Sequence, residues 1–151
     1  MNHENMTTHD YLNYLMHDVH STIFATVDEN GHPATRVVDI MLIKGEKLYF
    51  LTANTKEMYR QLEKNPYVAI TGVKGEDTMS SVSITIKGQV REIGTTYLDE
   101  IFEKNTYMRA IYETEESKKV LRVFEVYTGS LTVYDLNTKP IFQKTVPFGV
   151  S

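Results

Sequence analysis

The stretch from Ser80 to Ile93 most constrains what this chain can fold into. Val82, Ile84 and Ile86 alternate with serine, threonine and lysine. A period of two places alternate side chains on opposite faces of an extended strand. The pattern therefore predicts a long strand with one buried face and one face exposed to water.

The rest of the chain alternates short helices with further strands. Helices are predicted over residues 7–18, from Asn54 or Thr55 to about Lys64, and over residues 95–116. The other strands are predicted over residues 20–28, 33–43, 47–52, 67–73, 120–126 and 130–134. Asn30-Gly31 predicts the first hairpin turn and Gly129 the last, and the segment up to Ser151 is expected to be irregular or a short strand.

The connections between these elements are too short for repeated parallel crossovers. An antiparallel barrel with peripheral helices is the simplest closure of such a chain. No internal repeat or linker divides the sequence. We therefore expect one domain spanning residues 1–151.

The amino-acid composition limits the partners and the chemistry that this protein can have. The net charge is −4 and the basic residues are scattered among acids, so we expect no nucleic-acid partner. The sequence contains no cysteine, which excludes disulfides and thiolate metal sites, and redox chemistry would need a bound cofactor. No apolar run reaches the roughly 20 residues that cross a bilayer. We therefore expect a cytoplasmic protein with no membrane partner and no metal site.

The segment from Thr52 to Lys56 has the features of an anion-binding site. A strand ends at Thr52 and a helix begins near Thr55, and a helix start offers free N–H donors to a phosphate. Lys56 adds a full positive charge, and Thr52, Asn54 and Thr55 add side-chain donors. The alternative interpretation is a simple helix cap beside a solvated lysine.

Three stretches together resemble the pyridoxamine 5'-phosphate oxidase-like family of FMN-binding split barrels: ATVDENGHPATRVV, KLYFLTANTKEMYRQLEKNPYVAI and SVSITIKGQVREI. The middle stretch resembles the subgroup of nitroimidazole-resistance and general-stress flavoproteins. The match covers roughly residues 20–93. The resemblance implies a mainly β fold, an antiparallel six-stranded Greek-key split β-barrel with peripheral helices, acting as a homodimer that binds FMN.

The resemblance also assigns binding residues. It places Arg36 beside the flavin phosphate, the backbone of Val37 and Val38 beside the flavin ring, and Thr52, Asn54, Thr55, Lys56 and Tyr59 in the same site. The alternative for Arg36 is an ion pair with Glu29 or Asp39. Met41 stands where the vitamin B6 oxidases carry a lysine, and the C-terminal region is acid-rich, which argues against vitamin B6 oxidation.

Two functions follow from this interpretation. The first is an FMN-dependent oxidoreductase that passes electrons between a reduced nicotinamide and a small-molecule acceptor, a transient partner, with the cofactor carrying the chemistry. The second is a non-catalytic protein that binds or carries FMN or another small ligand. The sequence assigns no catalytic side chain.

Overall fold

The computed structural model describes residues 1–149. Its helices are α1 (Thr8–Tyr14), α2 (Glu57–Lys64), α3 (Leu98–Lys104), α4 (Met108–Ile111) and α5 (Glu115–Lys118). Its strands are β1 (Ser21–Val27), β2 (Pro33–Asp39), β3 (Leu42–Lys44), β4 (Lys47–Ala53), β5 (Tyr67–Lys74), β6 (Val82–Glu92), β7 (Leu121–Asp135) and β8 (Phe142–Phe148). None of the helices in this range is long and apolar enough to cross a membrane.

All strand pairs are antiparallel and form one sheet in the order β2-β1-β5-β6-β7-β4-β3, with β8 also paired to β7. The long strand β7 organises the sheet. One edge of β7 pairs with β6, while the other pairs first with β4 and then with β8. This confirms the mainly antiparallel β prediction, although the sheet has eight strands instead of six.

The predicted hairpin through Gly129 is wrong, because residues 121–135 form a single strand. Gly129 lies opposite Gly88 on β6, and a side chain at Gly129 would be only 2.7 Å from the Gly88 Cα atom. The glycine therefore permits close pairing of two strands and does not make a turn. In the final segment, residues 142–148 form the short strand β8, as one of the two alternatives expected, and residues 150–151 lie outside the described residues. The predicted strand over residues 33–43 is interrupted between Asp39 and Leu42.

Two apolar clusters hold the sheet and the helices together. The larger cluster packs α1 and the following π-helical turn (Leu15–Val19) against the sheet, where Gly72 makes room for Leu15. The smaller cluster packs α3 and α4 against β4 and β7. Strand β4 contributes to both clusters, since Leu48 and Phe50 enter the first and Tyr49 the second. The second cluster places α4 beside β4 and the β2–β3 connection.

Helix ends follow the capping chemistry only in part. At α1, Thr7 accepts a hydrogen bond from the Asp10 N–H and forms a reciprocal capping box. The helix predicted over residues 95–116 is wrong, because three short helices occupy this range. Asn105 ends the first of them, and its buried amide donates to the carbonyl oxygens of Ile101 (2.9 Å) and Met41 (2.8 Å).

Candidate functional site

A cleft of about 680 Å³ lies between edge strand β2, the end of β4, the start of α2 and helix α4. It brings together Arg36, Val37 and Val38 from β2, Thr52 from β4, and Lys56. These five residues come from two of the sequence stretches that suggested a cofactor site. The volume lies within the roughly 300–1,000 Å³ typical of small-molecule sites.

Arg36 lies on the inward side of β2 and is held firmly before any ligand binds. Its Nη1 donates to Thr26 Oγ1 at 2.7 Å and to the Ala34 carbonyl oxygen at 3.3 Å, and its Nη2 donates to Gln61 Oε1 at 2.9 Å. Burial lowers the pKa of Arg36, and the nearby Glu57 carboxylate partly opposes that shift. A guanidinium has five N–H donors. Two of them therefore remain for a ligand.

The alternative ion pairs considered for Arg36 are not formed. Glu29 and Asp39 both lie within the described residues, and neither makes a salt bridge with the guanidinium. Thr26 and Gln61, which hold Arg36 instead, are themselves buried and hydrogen-bonded to each other at 2.5 Å. Arg36 is therefore a positioned cation whose charge has no acidic partner in direct contact within residues 1–149.

The second cation is Lys56, at the start of α2. Lys56 occupies the cap position of this helix, so neither Asn54 nor Thr55 caps it as predicted. No side chain caps the helix, and the first N–H groups of any helix have no acceptor within it. Thr52 is buried and lines the cleft beside Lys56. This end of the cleft therefore combines two cations, a hydroxyl and a helix start.

Three of the predicted binding residues lie outside the cleft lining. The Asn54 N–H donates to the Val120 carbonyl oxygen at 2.8 Å, and Thr55 is exposed with its carbonyl oxygen near Arg60. The Tyr59 hydroxyl donates to the Glu92 carboxylate, a contact that raises the Tyr59 pKa to about 12. The Tyr59 ring packs edge-on against Phe124. None of these three residues is among those that line the cleft with Arg36, Lys56 and Thr52.

The other end of the cleft has apolar walls. Val37 and Val38 of β2, Met41, Leu51 of β4, and Met108, Ile111 and Tyr112 at α4 all belong to its lining. Strand β2 ends the sheet, so one of its edges has backbone groups free of strand pairing. Such an arrangement suits a flat apolar ring whose polar rim meets backbone donors.

Sequence reasoning missed the wall contributed by α4 and the acid at the cleft rim. Met108, Ile111 and Tyr112 are about 70 residues beyond β2 along the chain, and only packing brings them together. Asp39 also lines the cleft. A local signal existed for Asp39, because it is the one acid in the apolar run VVDIMLI. Among the described residues, no group of three or more histidines, cysteines or acids is arranged to hold a metal ion.

Comparison with known structures confirms the split-barrel fold. The chain superposes with a TM-score of 0.72 on a NimC/NimA family protein from Clostridium acetobutylicum, with 19% identity over 91% of this chain and 87% of that one. It superposes with a TM-score of 0.62 on a pyridoxamine 5'-phosphate oxidase-related, FMN-binding protein from Nostoc punctiforme, with 13% identity over 95% of this chain and 93% of that one.

Sequence comparison reaches the same group of proteins. The chain is 30% identical over 99 residues to the pyridoxine/pyridoxamine 5'-phosphate oxidase of Rhodococcus jostii. This alignment covers 63% of the chain but only 42% of the length of that relative. Residues 9–132 match the sequence family described as Pyridoxamine 5'-phosphate oxidase. Because this match takes in most of the chain, the protein belongs to the pyridoxamine 5'-phosphate oxidase family.

Proposed function

We propose that the cleft binds FMN and that the protein is an oxidoreductase, passing electrons between a reduced nicotinamide and a small-molecule acceptor. The observation that carries the proposal is that Arg36, Lys56 and Thr52 line one cleft together with many apolar side chains. FMN has the matching division into a phosphate and a flat ring. When bound, it supplies the two-electron redox chemistry that no side chain of this protein can perform.

The polar end of the cleft fits a phosphate. Arg36 presents two unused N–H donors in a fixed orientation, and a planar guanidinium suits a phosphate oxygen pair. Lys56 adds a mobile ammonium group, and the start of α2 adds backbone donors with partial positive charge. Glu57 also lines this end, and its charge would oppose an anion. Two cations against one acid leave the end favourable to a phosphate.

The apolar end fits a ring system. Among its lining residues, Val38 and Leu51 are partly buried, and Met41 and Met108 are buried. The free edge of β2 at Val37 and Val38 can hydrogen-bond a polar ring edge through its backbone. Side-chain identity matters little for such contacts, so the apolar character of this strand is compatible with specific binding. Asn54, Thr55 and Tyr59 lie outside the cleft and carry no part of this proposal.

The comparisons support the cofactor more than a particular substrate. The Nostoc punctiforme structure is named as FMN-binding, and the Rhodococcus jostii relative is named as an oxidase. Met41 lies in the cleft where the resemblance would place a lysine. A thioether cannot pair with a second phosphate, so we do not propose a vitamin B6 phosphate as substrate.

We also propose that the protein works as a homodimer that closes over the ring end of the cleft. Val37 and Ile111 line the cleft yet are 63% and 62% exposed. A ring lying between them would keep one side in water, and a second apolar wall from a symmetric partner would cover it. Sedimentation velocity tests this: a chain that stays monomeric at micromolar concentration while holding FMN tightly would contradict the dimer.

Purified protein tests the cofactor and the activity separately. We expect a yellow protein, or a colourless one that takes up FMN with quenching of flavin fluorescence. Addition of NADH or NADPH with a small acceptor is expected to give turnover. A yellow protein that shows no turnover of the acceptor with NADH, with NADPH or with a chemical reductant would favour the carrier function. A protein that takes up no FMN would refute both.

A further inference from the structure

Three side chains form a hydrogen-bonded row at the rim of the cleft. The Tyr107 hydroxyl donates to Asp39 Oδ2 at 2.7 Å and lies 2.7 Å from His20 Nε2. Asp39 lines the cleft and His20 does not, and their side chains are 25% and 27% exposed. His20 Nε2 also lies 3.5 Å from Asp39 Oδ2. The row therefore joins His20 to the cleft through the Tyr107 hydroxyl.

The row has a definite number of hydrogens. His20 Nδ1 lies 3.1 Å from the Met16 carbonyl oxygen, which can only accept, so Nδ1 carries a hydrogen. Tyr107 has one hydroxyl hydrogen but two close neighbours, Asp39 and His20 Nε2. Both contacts can be hydrogen bonds only if the three side chains together carry one additional hydrogen. The reference is the state in which His20 and Tyr107 are neutral and Asp39 is ionised.

That additional hydrogen has two possible locations. In one arrangement it is on His20 Nε2, and the Tyr107 hydroxyl donates to the Asp39 carboxylate. In the other it is on Asp39, and the Tyr107 hydroxyl donates to His20 Nε2. The two arrangements differ by the movement of two hydrogens, each along an existing hydrogen bond. Burial and the bond to Asp39 raise the Tyr107 pKa, so the tyrosine remains protonated in both.

The backbone holds His20 in an unfavourable conformation. Its φ and ψ are 69° and −62°, a region that residues other than glycine rarely occupy. Such strain persists only where the surrounding structure enforces it. Here the His20 N–H donates to the Leu15 carbonyl oxygen (2.8 Å), and its own carbonyl oxygen accepts from the Ile40 N–H (2.9 Å). These bonds fix the imidazole against Tyr107.

The neighbouring charged residues take no part in the hydrogen-bonded row. Ser21 Oγ donates to Asp39 Oδ1 at 2.6 Å and holds the carboxyl group in place. His17 and Asp18 lie on the preceding turn, and Lys74 on β5 donates to the Asp18 carbonyl oxygen. Within residues 1–149, the side chains of these three residues make no hydrogen bond to His20, Tyr107 or Asp39.

We propose that Asp39 gives a proton to the reactant in the cleft and that Tyr107 and His20 form the path that replaces it. The proposal rests on the proposed function, because the small-molecule acceptor of that reaction is the reactant. Each carboxylate oxygen has two lone pairs, and the row and Ser21 use one on each. A cleft-facing position on Asp39 is therefore left for the reactant.

The steps balance as proton transfers alone. The additional proton starts on His20 Nε2. The His20 Nε2–H bond breaks towards the Tyr107 oxygen as the Tyr107 O–H bond breaks towards Asp39, which leaves Asp39 protonated. The O–H bond of Asp39 then breaks, and its proton goes to a basic atom of the reactant. His20 Nε2, which now carries no hydrogen, finally takes a proton from water. No electron moves in these steps.

The path is tested first by NMR on the protein without added flavin. Histidine ring signals are followed against pH in the wild-type protein, in Tyr107→Phe and in a control, Tyr134→Phe, whose exposed hydroxyl makes no hydrogen bond within the described residues. We expect the His20 ring signals to show a hydrogen bond at Nε2 in wild type and control, and to lose it in Tyr107→Phe. An unchanged Nε2 signal in Tyr107→Phe would overturn the path.

The donor role is tested by turnover of FMN-loaded protein across pH. Loss of a general acid typically lowers a rate by about 10²–10⁴-fold. We expect Tyr107→Phe and Asp39→Asn to lose about 10²-fold or more in kcat, with altered pH profiles. Tyr107 does not line the cleft, so FMN affinity in Tyr107→Phe is expected to stay within about twofold of wild type. Wild-type kcat in both variants would overturn the donor role. Failure of the wild-type protein to bind FMN would instead refute the proposed function, and the donor role with it. The NMR experiment needs no flavin, so it would still test the path.

Discussion

Replacing Lys56 with alanine separates ligand binding from folding better than any other change in the cleft. Lys56 is exposed, and within residues 1–149 its ammonium group makes no hydrogen bond or ion pair. Its backbone N–H donates to the Ala53 carbonyl oxygen, a contact that alanine retains. An exposed position of this kind changes the free energy of unfolding by only about 0.5 kcal/mol or less.

The expected effect on FMN binding is much larger. A hydrogen bond from a charged group contributes about 1.5–3 kcal/mol, which corresponds to an increase of about 10- to 160-fold in Kd. Arg36 would not give so clear a result. Its three hydrogen bonds to Thr26, Ala34 and Gln61 tie it to the fold, so its removal would alter stability and binding together.

Quenching of flavin fluorescence measures the Kd, and urea unfolding measures stability on the same samples. Lys64→Ala is the matched control, because Lys64 is an exposed lysine in the last turn of the same helix, eight residues and about 12 Å further along. We expect Lys64→Ala to bind FMN as wild type does. Equal FMN affinity in Lys56→Ala and Lys64→Ala would show that the start of α2 does not hold the phosphate.

Three further changes test the charge of the cleft, the sheet and the N-terminal contacts. Glu57→Gln removes a negative charge from the cleft and is expected to tighten FMN binding by about 0.2–1 kcal/mol in the same titration. Gly129→Ala forces a side chain into the backbone of β6 and is expected to lower the free energy of urea unfolding by about 1–3 kcal/mol or more. Burial alone would raise the Asp135 pKa, but hydrogen bonds from His3 and from Asn137 lower it. The ionised Asp135 carboxylate therefore stabilises the fold at any pH above its ordinary pKa. This stabilisation is lost as the pH falls through the lowered pKa. His3→Ala should therefore cost about 1–3 kcal/mol near neutral pH and less in acid, with the exposed His17→Ala as control.

Local chemistry was enough to predict several elements. The reciprocal bonds between Thr7 and Asp10 start α1, and the Asn30-Gly31 pair turns β1 into β2, with Gly31 at a φ of 78°. The alternation around Ile84 marks β6 because one face of that strand is buried. Each of these signals depends on residues close together in the sequence, so a single sequence contains the information.

Elements whose ends are set by distant contacts could not be predicted. Gly129 has the sequence appearance of a turn, yet it lies within a strand because β6 runs close beside it at Gly88. The helix predicted over residues 95–116 breaks where the Asn105 side chain bonds to Met41, more than 60 residues earlier. Propensity reasoning has no access to such contacts, since they arise only after the chain has folded.

The same division applies to the site. Arg36 and Lys56 were selected because each carries a charge in an unusual local setting, and the fold brings both to one cleft. The resemblance also placed Tyr59 in the site, whereas its side chain contacts Glu92 and Phe124 and does not line the cleft. These contacts come from β6 and β7, so a local motif cannot determine which of its members reach a ligand.

The contact between Asn105 and Met41 also bears on how the cleft works. The Asn105 amide is 4% exposed, and it joins the end of α3 to the connection between β2 and β3. Because α4 follows Asn105 directly, this bond fixes the wall that carries Met108 relative to the strand that carries Val37. Tyr107 lies between the two and bonds to Asp39 on the strand side. The apolar end of the cleft is therefore assembled before any ligand binds, which lowers the entropic cost of ordering it around a ring. At the polar end, by contrast, Arg36 is fixed and the Lys56 side chain is free to move, so a phosphate would meet one rigid and one adaptable cation.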